Sequence, residues 1–367
     1  MIFENKKKAT LILADGTEFE GRAFGADGSV VGEIVFTTAM VGYQETLTDP
    51  SYCGQIVTQT FPLIGNYGVN SVDPESNGSV VSGYIVREQC EDPSNFRCEG
   101  DLDSYLKKYN IIGIYDIDTR HLTKIIRESG VMNGAIVHGD FDKEALLAQI
   151  RAYNVGKVVP KVSVKAKEYY PAENAKFNVV LMDYGYKFNI RRELVRRGCN
   201  VTVMPWNSTA DEIKALNPDG IMLSNGPGAP ADNTEAIQTL RELIPAQIPT
   251  FGICLGHQLL ALANGAKTEK LKYGHRGGNQ PVKDLALDRT FITSQNHGYA
   301  VVSGSVPAEA GEVSHVNGND GTCEGVRYHN APAFTVQFHP EACGGPKDTA
   351  YLFDEFIELM EGKKSCR

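Results

Sequence analysis

The chain has 367 residues, 42% of them hydrophobic and 22% charged, and its formal net charge is −9 at pH 7. This length predicts two domains, because a single core rarely extends beyond about 250–300 residues. The negative charge argues against a nucleic-acid-binding protein, and no apolar run approaches the length of a membrane span. The first residues lack the apolar core and cleavage site of a signal peptide, so we expect a cytoplasmic protein.

The pattern of the first 154 residues predicts a compact unit in which strands are followed by helices. Two alternating apolar runs flank Asp15-Gly16 in the stretch ATLILADGTEFEGRAF, which is a hairpin signal. Further strand-like runs are GEIVFTT, QIVTQTF and SGYIVRE. One helix is predicted to begin at a cap near Asp118 and to end at Gly130, and another covers residues 142–154.

The pattern changes after this unit. Residues 155–176 lose clear periodicity and carry two prolines, which predicts a linker that crosses the surface. From residue 177 strands alternate with helices, beginning with FNVVLMDYG and closing with the helical run DTAYLFDEFIELMEG. The alternation predicts an α/β domain over residues 177–367, with a mainly parallel sheet covered by helices on both faces. Ligands of such sheets bind at the carboxyl ends of the strands.

One of the eight cysteines, Cys254, stands at a special position. The strand-like run PTFGI leads to it, the helical run HQLLALANG follows closely, and Gly252 and Gly256 flank it at −2 and +2. This spacing is typical of a nucleophile elbow. A helix N-terminus behind the sulfur would favour the reactive thiolate, and the backbone N–H of residue 255 could face an oxyanion. The alternative is a small buried core residue with two packing glycines, which the strand–turn–helix context disfavours.

A nucleophilic cysteine needs a base, and FTVQFHPEA offers one. His339 directly follows a strand-like run that Pro340 ends, and Glu341 is close enough to hold the far nitrogen of the imidazole. The alternative is a structural histidine. His257 falls in the first turn of the helix and should point away from the sulfur, so we interpret it as structural, and His297 is a weaker candidate still.

A glycine-rich loop, LSNGPG at residues 223–228, leaves another buried strand. Its two glycines would let bare backbone approach a ligand closely, although Asn-Gly and Pro-Gly are also ordinary turn signals. After a parallel strand near a cysteine elbow, the loop could supply a second oxyanion donor. No pair of cysteines shows the C-x-x-C spacing of a zinc or redox site, and we predict no metal site and no cofactor in this chain.

The stretches GICLGHQ, SNGPG and QFHPEA together resemble the class I glutamine amidotransferases, in the same order and over residues 177 to about 360. The resemblance implies that Cys254 attacks the side-chain amide carbon of glutamine, that ammonia leaves, and that water hydrolyses the glutamyl thioester. It implies that His339 is the acid and base, that Glu341 orients it, and that the N–H groups of Gly226 and Leu255 form the oxyanion hole.

The first half narrows the resemblance to the small-subunit family of carbamoyl-phosphate synthetase. TTAMVGYQETLTDPSYCGQIVTQTFPLIGNYG and DTRHLTKIIRESG carry it, together with MDYGYKFNIRREL, KYGHRGGNQPV and SQNHGYAV from the second half. It spans almost the whole chain, and it implies an N-terminal β/α domain, residues 1–154, joined to a flavodoxin-like glutaminase domain.

The resemblance also implies a set of glutamine contacts. Two positions depart from the family pattern: Tyr299 stands where phenylalanine is common, and Ala229 where aspartate is frequent. The DPSY stretch is also typical of a turn, so Ser51 is chosen on the resemblance alone. The implied glutamine contacts are Ser51, Gly226, Gly228, Leu255, Gln258, Asn296, Gly298 and Tyr299.

The implied function is to hydrolyse glutamine and pass ammonia to a large synthetase subunit, which makes carbamoyl phosphate from bicarbonate and ATP for arginine and pyrimidine biosynthesis. The chain has no G-x-x-x-x-G-K-[ST] loop, so we expect ATP and Mg in the large subunit. Three alternatives stay open: a glutaminase for another synthetase, a catalytically silent docking subunit, and a cysteine hydrolase of peptides. The first 150 residues argue against the first, and intact Cys254, His339 and Glu341 against the second.

Overall fold

The computed structural model describes residues 7–362. The chain divides into two units, Met1–Val155 and Gly156–Arg367, next to residue 154, where the predicted first domain ends. Within the described range no helix is both long and apolar enough to cross a membrane.

The first unit contains nine strands and four helices among its described residues. Its strands are β1 (Lys8–Leu13), β2 (Glu18–Gly25), β3 (Ser29–Thr37), β4 (Gln55–Gln59), β5 (Leu63–Ile64), β6 (Gly83–Ile85), β7 (Glu88–Gln89), β8 (Ile112–Tyr115) and β9 (Met132–His138). Its helices are α1 (Tyr43–Leu47), α2 (Leu102–Lys108), α3 (Thr119–Ser129) and α4 (Lys143–Ala152). Seven strands close into a barrel in the order β1-β2-β8-β6-β4-β3-β9, and β5 pairs with β7 separately.

Local sequence signals account for the elements that were predicted in this unit. Strands β1 and β2 form an antiparallel hairpin about Asp15-Gly16, as predicted. The side chain of Asp118 caps α3, which ends at Gly130 with a φ of 93° that suits glycine. Asp142 caps α4 by accepting hydrogen bonds from two backbone N–H groups of the first turn.

The second unit contains ten strands and six helices among its described residues. The strands are β10 (Glu168–Tyr170), β11 (Phe177–Asp183), β12 (Cys199–Pro205), β13 (Gly220–Leu223), β14 (Thr250–Ile253), β15 (Thr268–Asp284), β16 (Arg289–Val301), β17 (Gly311–Asn317), β18 (Cys323–Tyr328) and β19 (Ala333–Val336). The helices are α5 (Val159–Val162), α6 (Phe188–Arg196), α7 (Ala210–Lys214), α8 (Thr234–Leu243), α9 (Leu255–Ala263) and α10 (Tyr351–Met360).

These strands form one mixed sheet in the order β10-β12-β11-β13-β14-β19-β18-β17-β15-β16. Strands β12, β11, β13, β14 and β19 are parallel neighbours, as the strand–helix alternation predicts. Strands β18, β17, β15 and β16 extend the sheet in antiparallel fashion, because direct reversals of the chain join β15 to β16 and β17 to β18. The parallel part carries the ends at which a ligand site is expected.

Helices cover both faces of the parallel strands, as expected. Alternate residues of β11 show this arrangement, because successive side chains of a strand point to opposite faces. Val180 and Met182 pack in a core with α8 and α9, whereas Val179 and Leu181 pack in a second core with α6 and α10. The two cores fix the strands whose ends build the candidate site.

Of the segment 155–176, predicted as a surface linker, residues 156–176 are part of the second unit instead. Val159 in α5 is 1% exposed and belongs to the core on the α8 and α9 face. The N–H of Val164 donates to Asp183 Oδ2 at 2.7 Å, and β10 pairs with β12 at the edge of the sheet. Periodicity fails here because α5 has four residues and β10 three, which is too short for an apolar repeat.

We therefore expect Val159→Ala to lower the free energy of unfolding by about 1–3 kcal/mol, because it removes two buried methyl groups. The exposed control Lys167→Ala should change it by less than about 0.5 kcal/mol. Urea unfolding followed by circular dichroism measures both. A Val159→Ala midpoint equal to that of the control would restore the linker interpretation.

Candidate functional site

Cys254 lies in a strained turn between β14 and α9. Its backbone has φ 53° and ψ −104°, a combination that residues with a side chain rarely adopt. Its N–H donates to the carbonyl of Val336 at 2.9 Å, and the residue is 2% exposed. A strand, a strained residue and a helix in immediate succession are the geometry of a nucleophile elbow.

The two flanking glycines are required by close approach. A Cβ atom at Gly256 would lie 2.4 Å from the carbonyl oxygen of Leu223, and one at Gly252 would lie 2.8 Å from Thr335 Cγ2. The N–H of Gly256 also donates to the carbonyl of Ser224 at 2.9 Å, which ties the start of α9 to the end of β13. The glycines therefore let the elbow pack between its neighbouring strands.

His339 and Glu341 lie at the same edge of the sheet as Cys254. Strands β14 and β19 pair in parallel with Ile253 opposite Val336, so both chains leave the sheet together. His339 Nδ1 is 2.6 Å from Glu341 Oε1, and both side chains are buried. The carboxylate fixes a proton on Nδ1, which leaves Nε2 to accept one. Among residues 7–362, buried Nε2 has no hydrogen-bond partner.

Sequence reasoning missed two residues that hold this pair. Lys187 Nζ lies 3.1 Å from Glu341 Oε1 and 3.0 Å from His339 Nδ1, and the side-chain amide of Asn189 donates to the carbonyl of Glu341. Both residues follow β11, so their place at a strand's carboxyl end was the available signal. Nothing local in the sequence indicates that they reach Glu341.

Asp183, the last residue of β11, organises the loop that carries Lys187. Its Oδ1 accepts hydrogen bonds from the N–H groups of Gly185 and Tyr186, both at 2.8 Å. Burial raises the pKa of this carboxyl, against the lowering effect of its backbone hydrogen bonds. The loop after β11 therefore has a fixed shape that directs Lys187 towards Glu341.

The glycine-rich loop approaches the start of α9, as its predicted role requires. A Cβ atom at Gly226 would lie 2.2 Å from the carbonyl oxygen of Tyr184 and 2.8 Å from Leu255 Cδ2, so only glycine fits there. Gly228 has a φ of +85°, which also favours glycine. Gly226 thus lies against the side chain of Leu255, and the oxyanion role of the two N–H groups stays a prediction.

Strand β16 brings three of the predicted glutamine contacts to α9. The Cys254 thiol lies 3.7 Å from the carbonyl oxygen of Asn296. Gln258 Nε2 donates to the carbonyl of Tyr299 at 2.7 Å and to Gln337 Oε1 at 2.8 Å. Gly298, which is half-buried, lies between Asn296 and Tyr299 on β16. The structure therefore collects these residues around the elbow, while their contact with glutamine stays a prediction.

Ser51 belongs to the first unit, where Pro50–Tyr52 form a short 3₁₀ turn. The N–H of Ser51 donates to Asp49 Oδ1 at 2.9 Å, so DPSY is a turn, as its composition allows. The proposed contact of Ser51 with glutamine stays a prediction.

The other two histidines considered have structural surroundings. His257 is fully buried with Nδ1 2.8 Å from Thr335 Oγ1, and burial together with the charge of His315 lowers its pKa to about 3. His297 has Tyr299 O and Gln295 Oε1 within 2.9 Å of its ring nitrogens, and burial lowers its pKa well below the usual range. Both side chains are therefore buried among neighbouring polar groups, unlike a catalytic base of the elbow.

Two family models match the chain, one in each unit. The model described as Carbamoyl-phosphate synthase small chain, CPSase domain, matches residues 11–136. The model described as Glutamine amidotransferase class-I matches residues 180–359 and so includes Cys254, His339 and Glu341.

Curated relatives match nearly the full length. Proteins called carbamoyl phosphate synthase small chain are 54% identical in Bacillus cereus, covering 97% of this chain and 97% of that protein, and 52% identical in Clostridium perfringens, covering 96% and 99%. The protein of that name from Fusobacterium nucleatum is 53% identical, covering 96% and 98%. With a strained cysteine elbow and a buried His–Glu pair in its second unit, the chain belongs to the carbamoyl phosphate synthase small chain family.

Proposed function

We propose that this chain hydrolyses glutamine to glutamate and ammonia at Cys254 and supplies the ammonia to the large subunit of a carbamoyl phosphate synthase. The observation that carries the proposal is the buried His339–Glu341 pair at the sheet edge where the Cys254 elbow lies. This arrangement supports acyl transfer through a thioester. The relatives' name supplies the identity of the synthase.

The reaction follows from the roles of these groups. His339 Nε2 takes the thiol proton, and the Cys254 sulfur attacks the side-chain amide carbon of glutamine. The N–H groups of Gly226 and Leu255 stabilise the oxyanion. The tetrahedral species collapses as His339 returns the proton to the leaving nitrogen, which releases ammonia and leaves a glutamyl thioester. Water, deprotonated by His339, attacks that thioester and regenerates the thiol with release of glutamate.

Lys187 is a positioning residue in this mechanism. Burial alone would raise the pKa of Glu341, but the charges of Lys187 and His339 hold it at about 2. Glu341 is therefore a carboxylate at neutral pH and keeps a proton on His339 Nδ1. An ion pair this deeply buried needs both partners, because either one alone would be an uncompensated charge.

The partner supplies the remaining chemistry. In this proposal the large subunit binds ATP and Mg and makes carbamoyl phosphate from bicarbonate and the delivered ammonia, for arginine and pyrimidine biosynthesis. We place the reaction in the cytoplasm, where reducing conditions preserve the Cys254 thiol. Glutamine itself would be held by the residues that the family resemblance indicates, which are Ser51, Gly226, Gly228, Leu255, Gln258, Asn296, Gly298 and Tyr299.

We expect the chain to release glutamate from glutamine slowly on its own and faster with a large carbamoyl phosphate synthase subunit and its substrates. Cys254→Ala should reduce either rate by at least about a thousandfold, because the thioester can no longer form. The matched control is Cys323→Ala: burial raises the pKa of the Cys323 thiol to about 12, so it is inert, and its removal should leave the rate intact. A coupled glutamate dehydrogenase assay measures all of them.

Different results separate the proposal from its alternatives. Glutamate release that survives in Cys254→Ala would overturn the nucleophile assignment. Glutamate release that depends on Cys254 but has the same rate with and without the large subunit would indicate another synthetase. A folded wild-type chain that cleaves peptides and not glutamine would be a cysteine hydrolase of a different class.

We expect Lys187→Met to lower the free energy of unfolding by about 3–5 kcal/mol at pH 7, because it leaves Glu341 as an unpaired buried charge. The folded-state pKa of Glu341 is depressed, so this contribution is complete above the unfolded-state pKa and is lost as pH falls towards about 2. The difference between wild type and Lys187→Met should therefore shrink below about pH 4.5. Urea unfolding at several pH values measures it.

The control for this experiment is Lys157→Met. Lys157 pairs with Glu235 at 2.6 Å on an exposed surface, so its loss should cost less than about 1 kcal/mol. Lys187→Arg should keep most of the wild-type glutaminase rate because it keeps the charge. A Lys187→Met variant as stable as Lys157→Met, with a normal rate, would show that Lys187 does not hold Glu341.

A further inference from the structure

A second group of buried polar residues lies in the antiparallel half of the second unit's sheet. His275 on β15 and His297 on β16 are directly paired across the two strands, and Glu324 lies on β18. One ligand atom from each of the three lies within 4.8 Å of the others, and all three residues are buried. Two imidazoles and a carboxylate are a donor set that zinc favours.

Glu324 is the residue of the group that most clearly indicates a cation site. It is 0% exposed, and its Oε2 has no hydrogen-bond partner among the described residues. Its Oε1 accepts from Asn317 Nδ2 at 2.8 Å and lies 3.5 Å from His275 Nδ1. Burying a carboxylate oxygen without a partner is costly, and a cation bound between Glu324 and the two histidines would remove that cost.

In each histidine, the ring nitrogen that would not bind the metal already has the kind of hydrogen-bond partner that metal ligands require. His275 Nε2 lies 2.9 Å from Asp320 Oδ2, and His297 Nδ1 lies 2.8 Å from the carbonyl oxygen of Tyr299. Metal-ligating histidines almost always donate their second N–H to a carboxylate or carbonyl in this way. The arrangement leaves His275 Nδ1 and His297 Nε2 as the nitrogens on the cluster side.

We propose that His275, His297 and Glu324 bind one divalent transition metal ion, with zinc as the best match to the donors. The ligand atoms would close from 4.8 Å to the separation of about 3.3 Å that bonds of about 2.0–2.1 Å give in a tetrahedral site. Two side-chain amides lie against these atoms and would move: Asn317 Nδ2 is 3.4 Å from His275 Nδ1, and Gln295 Oε1 is 2.9 Å from His297 Nε2.

The position of the cluster gives the ion a role in shaping the neighbouring strand. His297 stands between Asn296 and Gly298, so a metal that joins β15, β16 and β18 would fix the strand that passes the Cys254 thiol. This role is structural, because the ion would not touch Cys254, His339 or Glu341. Cysteine spacing, on which the expectation of no metal rested, carries no information about such a site.

The test uses the full chain with Cys254→Ala, so that the reactive thiol does not compete for metal. The protein is stripped with a chelator, zinc sulfate is added, and binding is measured by competition with a chromophoric chelator and by elemental analysis after gel filtration. We expect one zinc per chain, weakened at least about a hundredfold by Glu324→Gln or His297→Gln and about ten- to a hundredfold by Asp320→Asn. His329→Gln, an exposed histidine of the same unit, should bind as the parent does.

Cobalt gives a second readout, because Co²⁺ in the same site should show the visible absorption of a four-coordinate ion with nitrogen and oxygen donors. Circular dichroism checks that each variant is folded. If Glu324→Gln and His297→Gln do not fold, the zinc affinity of Asp320→Asn tests the proposal instead. No zinc retained against the chelator, or a zinc affinity in Glu324→Gln and Asp320→Asn equal to that of the parent protein, would overturn the proposal. The Asn317 side chain would then bridge His275 and Glu324 in a network without metal.

Discussion

The site depends on one tight turn, which carries the chain from β14 through Cys254 into α9. The turn needs a residue with a strained backbone at its centre and no side chain at Gly256, where the carbonyl of Leu223 is 2.4 Å from the place of a Cβ atom. Because the turn is packed so closely, the sulfur position is fixed by β13 and β19 rather than by a mobile loop. The other functional groups are then positioned by the register of those strands.

Charge burial is the second constraint, and it follows from the first. The elbow puts the Cys254 thiol inside the protein, and His339 and Glu341 are buried at the same sheet edge, where an isolated carboxylate would take up a proton. Lys187 supplies the opposite charge for Glu341 from the loop after β11, which is two strands away from β14 in the sheet order. Cys254, the His339–Glu341 pair and Lys187 therefore come from three strand ends, and the ion pair joins loops that share no local sequence signal.

The difference between local patterns and contacts across the chain explains how much could be predicted from the sequence. The elbow, the His339–Glu341 spacing, the hairpin at Asp15-Gly16 and the helix caps are local patterns, so sequence alone indicated them. Lys187 and the His275–Glu324 cluster depend on contacts between residues far apart in the chain, and no periodicity encodes them. The segment 155–176 was misread for a different reason, since α5 and β10 are too short to show a repeat.

The geometry and the family comparison answer different questions. A cysteine elbow with a His–Glu pair is suited to acyl transfer through a thioester, and it would serve equally for glutamine or a peptide. The match of the second unit to the class-I glutamine amidotransferases indicates glutamine as the acyl donor. The match of residues 11–136 in the first unit indicates which synthase the chain belongs to. That first unit is a barrel with its own core, and its family match does not include Cys254, His339 or Glu341. It follows that the cysteine elbow and the match to the synthase small-chain domain lie in separate units of one chain, so that loss of the Cys254 thiol would leave the features that indicate the synthase in place.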